Sequence, residues 1–344
     1  MKRSLLFWVV YTAAVSALLL LGLEGVGRVM IHLKHGVPGK TYGLWIADPE
    51  LGADHRPNGY NTHTRVNDWG FRNPEDVVVP KPADGLRIIV FGGSTTFGYN
   101  LADGDTYTER LEAKLRQVPG WEHSQVLNAG RINFSAGHNL ILMKRLVPKL
   151  QPDLVILYEG VNEMQNAWML QLRDGVNLDT LADRWGVLAK GFDQNRWLKR
   201  NSILVRFFDY RIKELLTAHP KETGPAAPQS ALIHPWIIEN YRYLFGAMLD
   251  FLEERQVPVI MIRYASVHNP LIVPFSEISA EMAEARGIPV YEMERHLNET
   301  GRPLAGWFIA TGAHVTAEGA RRVADGLFQM IEEAFPLEEA EPQD

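Results

Sequence analysis

The 344-residue chain has no cysteine. That absence excludes disulfides, a thiolate nucleophile, a cysteine-ligated metal and a lipid anchor on an N-terminal cysteine. A basic excess is also missing: 35 Lys and Arg face 41 Asp and Glu, for a net charge of −6. With no surplus cations to neutralise phosphates, nucleic acid is excluded as the main partner. The histidines form no cluster with metal-ligand spacing. His32 and His35 follow the N-terminal apolar run, and His234 and His268 lie beside prolines. No metal or other cofactor is expected. Internal repeats are absent too.

Apolar residues are plentiful, at 46%. The longest apolar run is N-terminal. Met1-Lys2-Arg3 precedes Leu5 to Leu23, nineteen residues without a charge. At ~1.5 Å per residue, a helix of that length roughly spans a bilayer core. Lys2 and Arg3 place the N-terminus in the cytoplasm and the rest of the chain outside. The expected location is the inner membrane, single-pass, with the main domain on the periplasmic side. The rival is a cleaved signal sequence, for which Gly25-Val26-Gly27 offers a weak processing site. Either way residues 1–24 form a unit of their own, followed by a linker and small subdomain over 25–84.

From residue 86 strands and helices alternate. Strand-like runs are Leu86–Phe91, Gln125–Leu127, Leu154–Tyr158, Val257–Arg263 and Ile288–Tyr291. Helical runs are Thr106–Gln117, Asn139–Leu150, Ile237–Glu254, Ser276–Arg286 and Thr316 to about Glu333. Unbroken apolar strands between helices predict an α/β fold, a doubly wound five-stranded parallel sheet flanked by helices. Its domain is read as 85–335, with an acidic tail over 336–344. The interval between the third and fourth strands is too long for a crossover. Residues 164–235 are therefore read as an insertion. It carries Trp168, Trp185, Trp197 and Trp236, the basic residues Arg196, Lys199, Arg200, Arg206 and Arg211, and a loop over 219–230.

Ligands of such a sheet bind at the carboxyl ends of its strands. There the first strand runs into Gly92-Gly93-Ser94-Thr95-Thr96. No Gly-Lys-Ser/Thr follows, so this is not a phosphate-binding loop. The glycine spacing does not fit a dinucleotide fingerprint, and Thr96 breaks the Gly-x-Ser-x-Gly nucleophile elbow. A plain turn and a presented serine both remain. Three further stretches sit at strand ends: "VLNAGRINFS" with Gly130, "VILYEGVNEM" with Asn162, and "FIATGAHVTAEG" with His314 just before the last helix, where Thr316 is a natural N-cap.

Serine, glycine, asparagine and histidine in this order resemble the four blocks of the SGNH (GDSL-like) hydrolases, over roughly residues 86–164 and 255–334. The resemblance implies a flavodoxin-like fold and a serine esterase. Ser94 would attack an ester carbonyl and His314 would take its proton. The backbone N–H groups of Ser94 and Gly130 and the amide of Asn162 would form the oxyanion hole. It implies a small-molecule or glycan ester as substrate, with O-acetyl groups foremost. Membrane-anchored relatives in polysaccharide acetylation make a carbohydrate O-acyltransferase the alternative. One departure stands out: the family's acid lies three residues before the histidine, where this chain has Thr311. Three readings stay open: a Ser94–His314 dyad, an acid displaced to Glu318 or Glu292, or a degenerate site that only binds.

Overall fold

The computed structural model describes residues 2–35, 41–61, 64–160, 162–164, 202–205, 208, 233–265, 272–309 and 313–336. The first helix, α1 (Lys2–His35), continues twelve residues beyond the uncharged run. An i,i+4 pair between Glu24 and Arg28, 2.9 Å apart, supports that extension. Within α1, Leu6–Met30 is long and apolar enough to cross a membrane, with a mean hydropathy of 2.2, and its residues are exposed apart from Glu24 and Gly27. Glu24 reaches residues 202–204. Its Oε2 accepts from the Ser202 hydroxyl at 2.9 Å and the Leu204 N–H at 3.1 Å, and its Oε1 accepts from the Ile203 N–H at 3.0 Å.

Residues 41–61 form two small sheets. Strand β1 (Thr41–Tyr42) pairs in parallel with β4 (Gly59–Tyr60), and β2 (Trp45–Asp48) pairs antiparallel with β3 (Gly52–His55).

The main sheet is the expected one. It has β5 (Arg87–Gly92), β6 (Gln125–Asn128), β7 (Leu154–Tyr158), β8 (Val259–Arg263) and β9 (Val290–Glu292), all parallel, in the order β6-β5-β7-β8-β9. Alternate residues feed two cores. Ile89, Phe91, Val155, Leu157 and Met261 pack under α4 (Ala136–Leu150), α5 (Pro235–Glu253) and α6 (Val273–Glu284). Ile88, Val90, Ile156, Ile260 and Ile262 pack under α3 (Tyr107–Leu115) and α8 (Ala317–Ala334). Both faces are covered, so the strand interiors are apolar on both sides, with polar residues confined to the strand ends. Between β9 and α8 lie α7 (Met293–Asn298) and a 3-10 turn, Leu304–Trp307, which the sequence pattern did not reveal.

The outer edge of β6 is closed by two side chains and one backbone N–H. The Val126 N–H donates to Glu112 Oε2 at 2.7 Å, and its carbonyl accepts from Asn73 Nδ2 at 2.9 Å. The Asn128 N–H donates to Asn73 Oδ1 at 2.9 Å, and its carbonyl accepts from the Arg72 N–H at 3.0 Å.

Trp236, read above as part of the insertion, is in the first turn of α5 and packs on the core beside Ile233. The proline at 235 starts the helix two residues before its residue periodicity becomes evident. Trp168, Trp185, Trp197, the five basic residues, the loop 219–230 and residues 337–344 lie outside the described residues.

Candidate active site

Two glycines and a serine end β5 because the space there is closed. A Cβ on Gly92 would meet Thr96 Oγ1 at 2.3 Å and the Tyr158 carbonyl at 2.6 Å. Gly93 then caps α2 (Ser94–Phe97), and Gly98, left-handed at φ 75°, ends it after one turn. Ser94 is thus presented at the carboxyl end of the central strands. Both threonines are fixed: Thr95 Oγ1 bonds Tyr264 OH at 2.7 Å, and Thr96 Oγ1 accepts from Tyr107 OH at 3.2 Å.

His314 meets Ser94 across 220 residues of chain. Its Nε2 lies 2.8 Å from Ser94 Oγ. The backbone of His314 is held by its carbonyl, which accepts from the Ile309 N–H at 2.9 Å, and by a β-bridge between Phe308 and Val315. Thr316 caps α8 directly behind it, accepting from the Gly319 N–H. Ser94 is buried and His314 half-buried. Burial pushes the His314 imidazole below its ordinary value, since it disfavours the charged form. That leaves a neutral ring whose Nε2 can accept a proton from a hydroxyl.

Asn162, four residues past the carboxyl end of β7, is buried, with Nδ2 donating to the Phe134 carbonyl at 2.8 Å. That bond ties it to the loop after β6. The crest of this loop is Asn133, at φ 67°, a left-handed conformation that asparagine tolerates better than most residues.

Gly130 is placed differently from the expectation. Its N–H donates to Asn128 Oδ1 at 3.0 Å, and a Cβ there would meet the Phe97 N at 2.3 Å. In this geometry the glycine lets the loop pack against α2, and its N–H points into the protein. It does not stand as an oxyanion donor. The same Asn128 donates from Nδ2 to the Thr96 carbonyl at 2.8 Å and to Thr108 Oγ1 at 2.9 Å.

Thr311 lies outside the described residues. The two acids considered in its place are occupied elsewhere. Glu318 pairs with Arg302, and Glu292 pairs with Arg263 at 3.1 Å.

The most consequential residue missed in the sequence is Arg72. Its buried guanidinium donates to the carbonyls of Phe97 and Gly98, and to that of Leu101 at 2.5 Å, and it lies 4.6 Å from the Phe97 ring centroid. It therefore holds the carboxyl end of α2. "RVNDWGFRNPED" gave only turn signals; nothing in it showed that an arginine reaches the turn that follows the serine.

Behind Asn162 sit two buried carboxyl groups. Glu159 accepts from Asn139 Nδ2 at 2.7 Å, and Glu163 from the Ala136 N–H at 2.9 Å. Burial raises both: Glu159 well above the usual range and Glu163 to about 7. Among the described residues no group of three His, Asp or Glu side chains is placed to hold a metal.

The sequence profile of the GDSL-like Lipase/Acylhydrolase family matches residues 90–322. No curated protein matches the chain. Among solved structures, it is similar to a lipase/acylhydrolase from Enterococcus faecalis, 15% identical, covering 74% of this chain and 100% of that one, with a TM-score of 0.46. It is also similar to the acetyl xylan esterase AlAXEase, 15% identical, over 72% of this chain and 100% of that one, TM-score 0.45. A third is Axe2, an acetylxylan esterase from Geobacillus stearothermophilus, 12% identical, over 73% and 96%, TM-score 0.45. The profile match covers two thirds of the sequence, from the strand that presents Ser94 to the helix behind His314, and the chain belongs to the GDSL-like lipase/acylhydrolase family.

Proposed function

We propose that the protein is a cell-envelope serine esterase that removes O-acyl groups, acetyl foremost, from a glycan or a comparable ester. The observation that carries this reading is the 2.8 Å approach of His314 Nε2 to Ser94 Oγ at the carboxyl ends of the strands. Ser94 Oγ attacks the ester carbonyl carbon while its proton passes to His314 Nε2. The tetrahedral oxyanion is met by the Ser94 N–H and the Asn162 amide. Collapse releases the alcohol, which takes the proton back from His314. Water, deprotonated by the same imidazole, then frees the acid from the acyl-enzyme.

The pair works as a dyad in this reading. Glu318 and Glu292 are engaged by arginines, and the sequence has threonine at 311. Membership in an acylhydrolase family supports ester hydrolysis as the reaction. Helix α1 supports a membrane anchor, with the catalytic domain on the extracytoplasmic side of the inner membrane.

The test is labelling with a fluorophosphonate, followed by peptide mass spectrometry and acetate release from acetylated glycans. The adduct is expected on Ser94, with Ser94→Ala unlabelled and inactive. Full acetate release by Ser94→Ala overturns the reading.

A further inference from the structure

Tyr99 is 43% exposed, a large ring left open beside a buried serine. It is nevertheless held firmly. Its N–H donates to the carbonyl of Ser94 itself at 3.0 Å. Gly98 and Asn100 flank it in left-handed conformations, at φ 75° and 66°. Its ring centroid lies 5.2 Å from that of His314, with 48° between the planes. One residue thus depends on the nucleophile through its backbone and touches the base through its ring.

A cation within about 6 Å of an aromatic centroid is attracted by the negative face of the ring. His314 becomes such a cation when it takes the Ser94 proton. We propose that Tyr99 is a positioning residue of this site: its ring keeps the His314 imidazole in line with Ser94 and stabilises the positive charge that forms there during acyl transfer. The proposal rests on the reading of Ser94 and His314 as the acyl-transfer pair. The hydroxyl of Tyr99 has no part in it; the ring face does.

The surroundings of His314 agree with a role for a neutral ring. Ser94 approaches from α2 and Tyr99 from the turn after it. On the elements behind the imidazole, the charged groups Arg302 and Glu318 pair with each other. Glu292 at the end of β9 is bound to Arg263.

The experiment replaces Tyr99 in the full chain by Phe, Trp and Leu, and by phenylalanines carrying one to three ring fluorines. Fluorination drains the ring face of negative potential and leaves its shape nearly unchanged. The rate–pH profile for hydrolysis of a simple acetyl ester is then recorded. Tyr99→Phe is expected to match the parent. Tyr99→Leu should move the ascending limb of kcat/KM to lower pH by about half a unit, because the imidazolium loses its support. Its plateau should fall several-fold. The fluorinated series should fall between the two, in order of fluorine count, and Trp at or above the parent. A residue that merely fills space gives the same limb for every fluorinated ring, and that result overturns the proposal. So does a Leu variant with the parent limb. Ser94→Ala is run alongside. Activity retained there removes the acyl-transfer reading itself, whereas an inactive Ser94→Ala with an unmoved fluorine series removes only the role of Tyr99.

Discussion

Asn128 Oδ1 accepts the N–H of Gly130 at 3.0 Å while its Nδ2 donates to the carbonyl of Thr96. One side chain thereby locks the loop after β6 to the turn that carries Ser94. Asn128→Ala strands a buried donor and a buried acceptor, each worth about 1–3 kcal/mol when unsatisfied. A loss of about 3 kcal/mol in denaturant unfolding is expected, together with most of the activity. Asn128→Asp should fare little better, because its carboxylate would face the Thr96 carbonyl. Gly130→Ala should also destabilise, by about 2–3 kcal/mol, since the added methyl meets the Phe97 backbone.

Arg72 serves three carbonyls with one planar fork. Lysine keeps the charge but not the fork. Arg72→Lys is expected to lower stability by on the order of 3 kcal/mol, the range seen when a buried charge loses its partners. Its kcat should fall further than its KM rises, because α2 moves while the rest of the cleft stays. Thermal unfolding and steady-state kinetics on the same preparation test this.

Burial holds His314 below the ordinary imidazole value of 6.5. The base must be neutral to act, so the ascending limb of kcat/KM should lie below pH 6.5. Thr311→Ala should leave the limb in place and lower turnover far less than His314→Ala, because threonine carries no negative charge to stabilise imidazolium. A limb above pH 7 would mean that a carboxylate supports the ring.

Glu163 titrates at about 7 in the folded chain, against 4.5 for an ordinary glutamate. Between those values the folded state binds the extra proton, so stability falls as pH rises. Glu163→Gln keeps the acceptor for Ala136 and removes the ionisation. It is expected to be more stable than the parent at pH 8 by on the order of 2 kcal/mol, and equal to it near pH 4. Glu112, also raised to about 7 by burial, titrates alike in both proteins and cancels from the difference.

The full chain is expected to fractionate with membranes and to resist carbonate extraction. Removing residues 1–35 should release it. A reporter fused after Asp344 should be active only outside the cytoplasm; activity inside would reverse the assigned orientation.

The sheet was legible because its strands are apolar on both faces and its helices show their own period. Four of the five strands start or end within two residues of the apolar runs that announced them, and Leu154–Tyr158 coincides. Ser94, Asn162 and His314 were singled out because each lies within four residues of a strand end or a helix start, in a known order. Gly130 shows the limit of that reasoning. Its position at a strand end was correct, but the direction of its N–H depends on Asn128, whose side chain no local pattern describes. Arg72 and Tyr99 show the same limit. One acts over 25 residues of sequence and the other over 215, through three-dimensional contacts that leave no periodic trace.

Strand β6 is the outermost strand of the main sheet on its side, and such a strand ordinarily offers a free row of amides to any other chain. Here Glu112, Asn73 and the Arg72 backbone occupy its outward groups. Arg72 and Asn73, which precede the sheet in sequence, share with Glu112 of α3 the work of guarding it against self-association. A fragment cut at residue 85 would keep every strand of the main sheet and lose Asn73 and Arg72, leaving only Glu112 on the edge. It should assemble through β6 into oligomers or aggregates, where the longer chain keeps the edge closed.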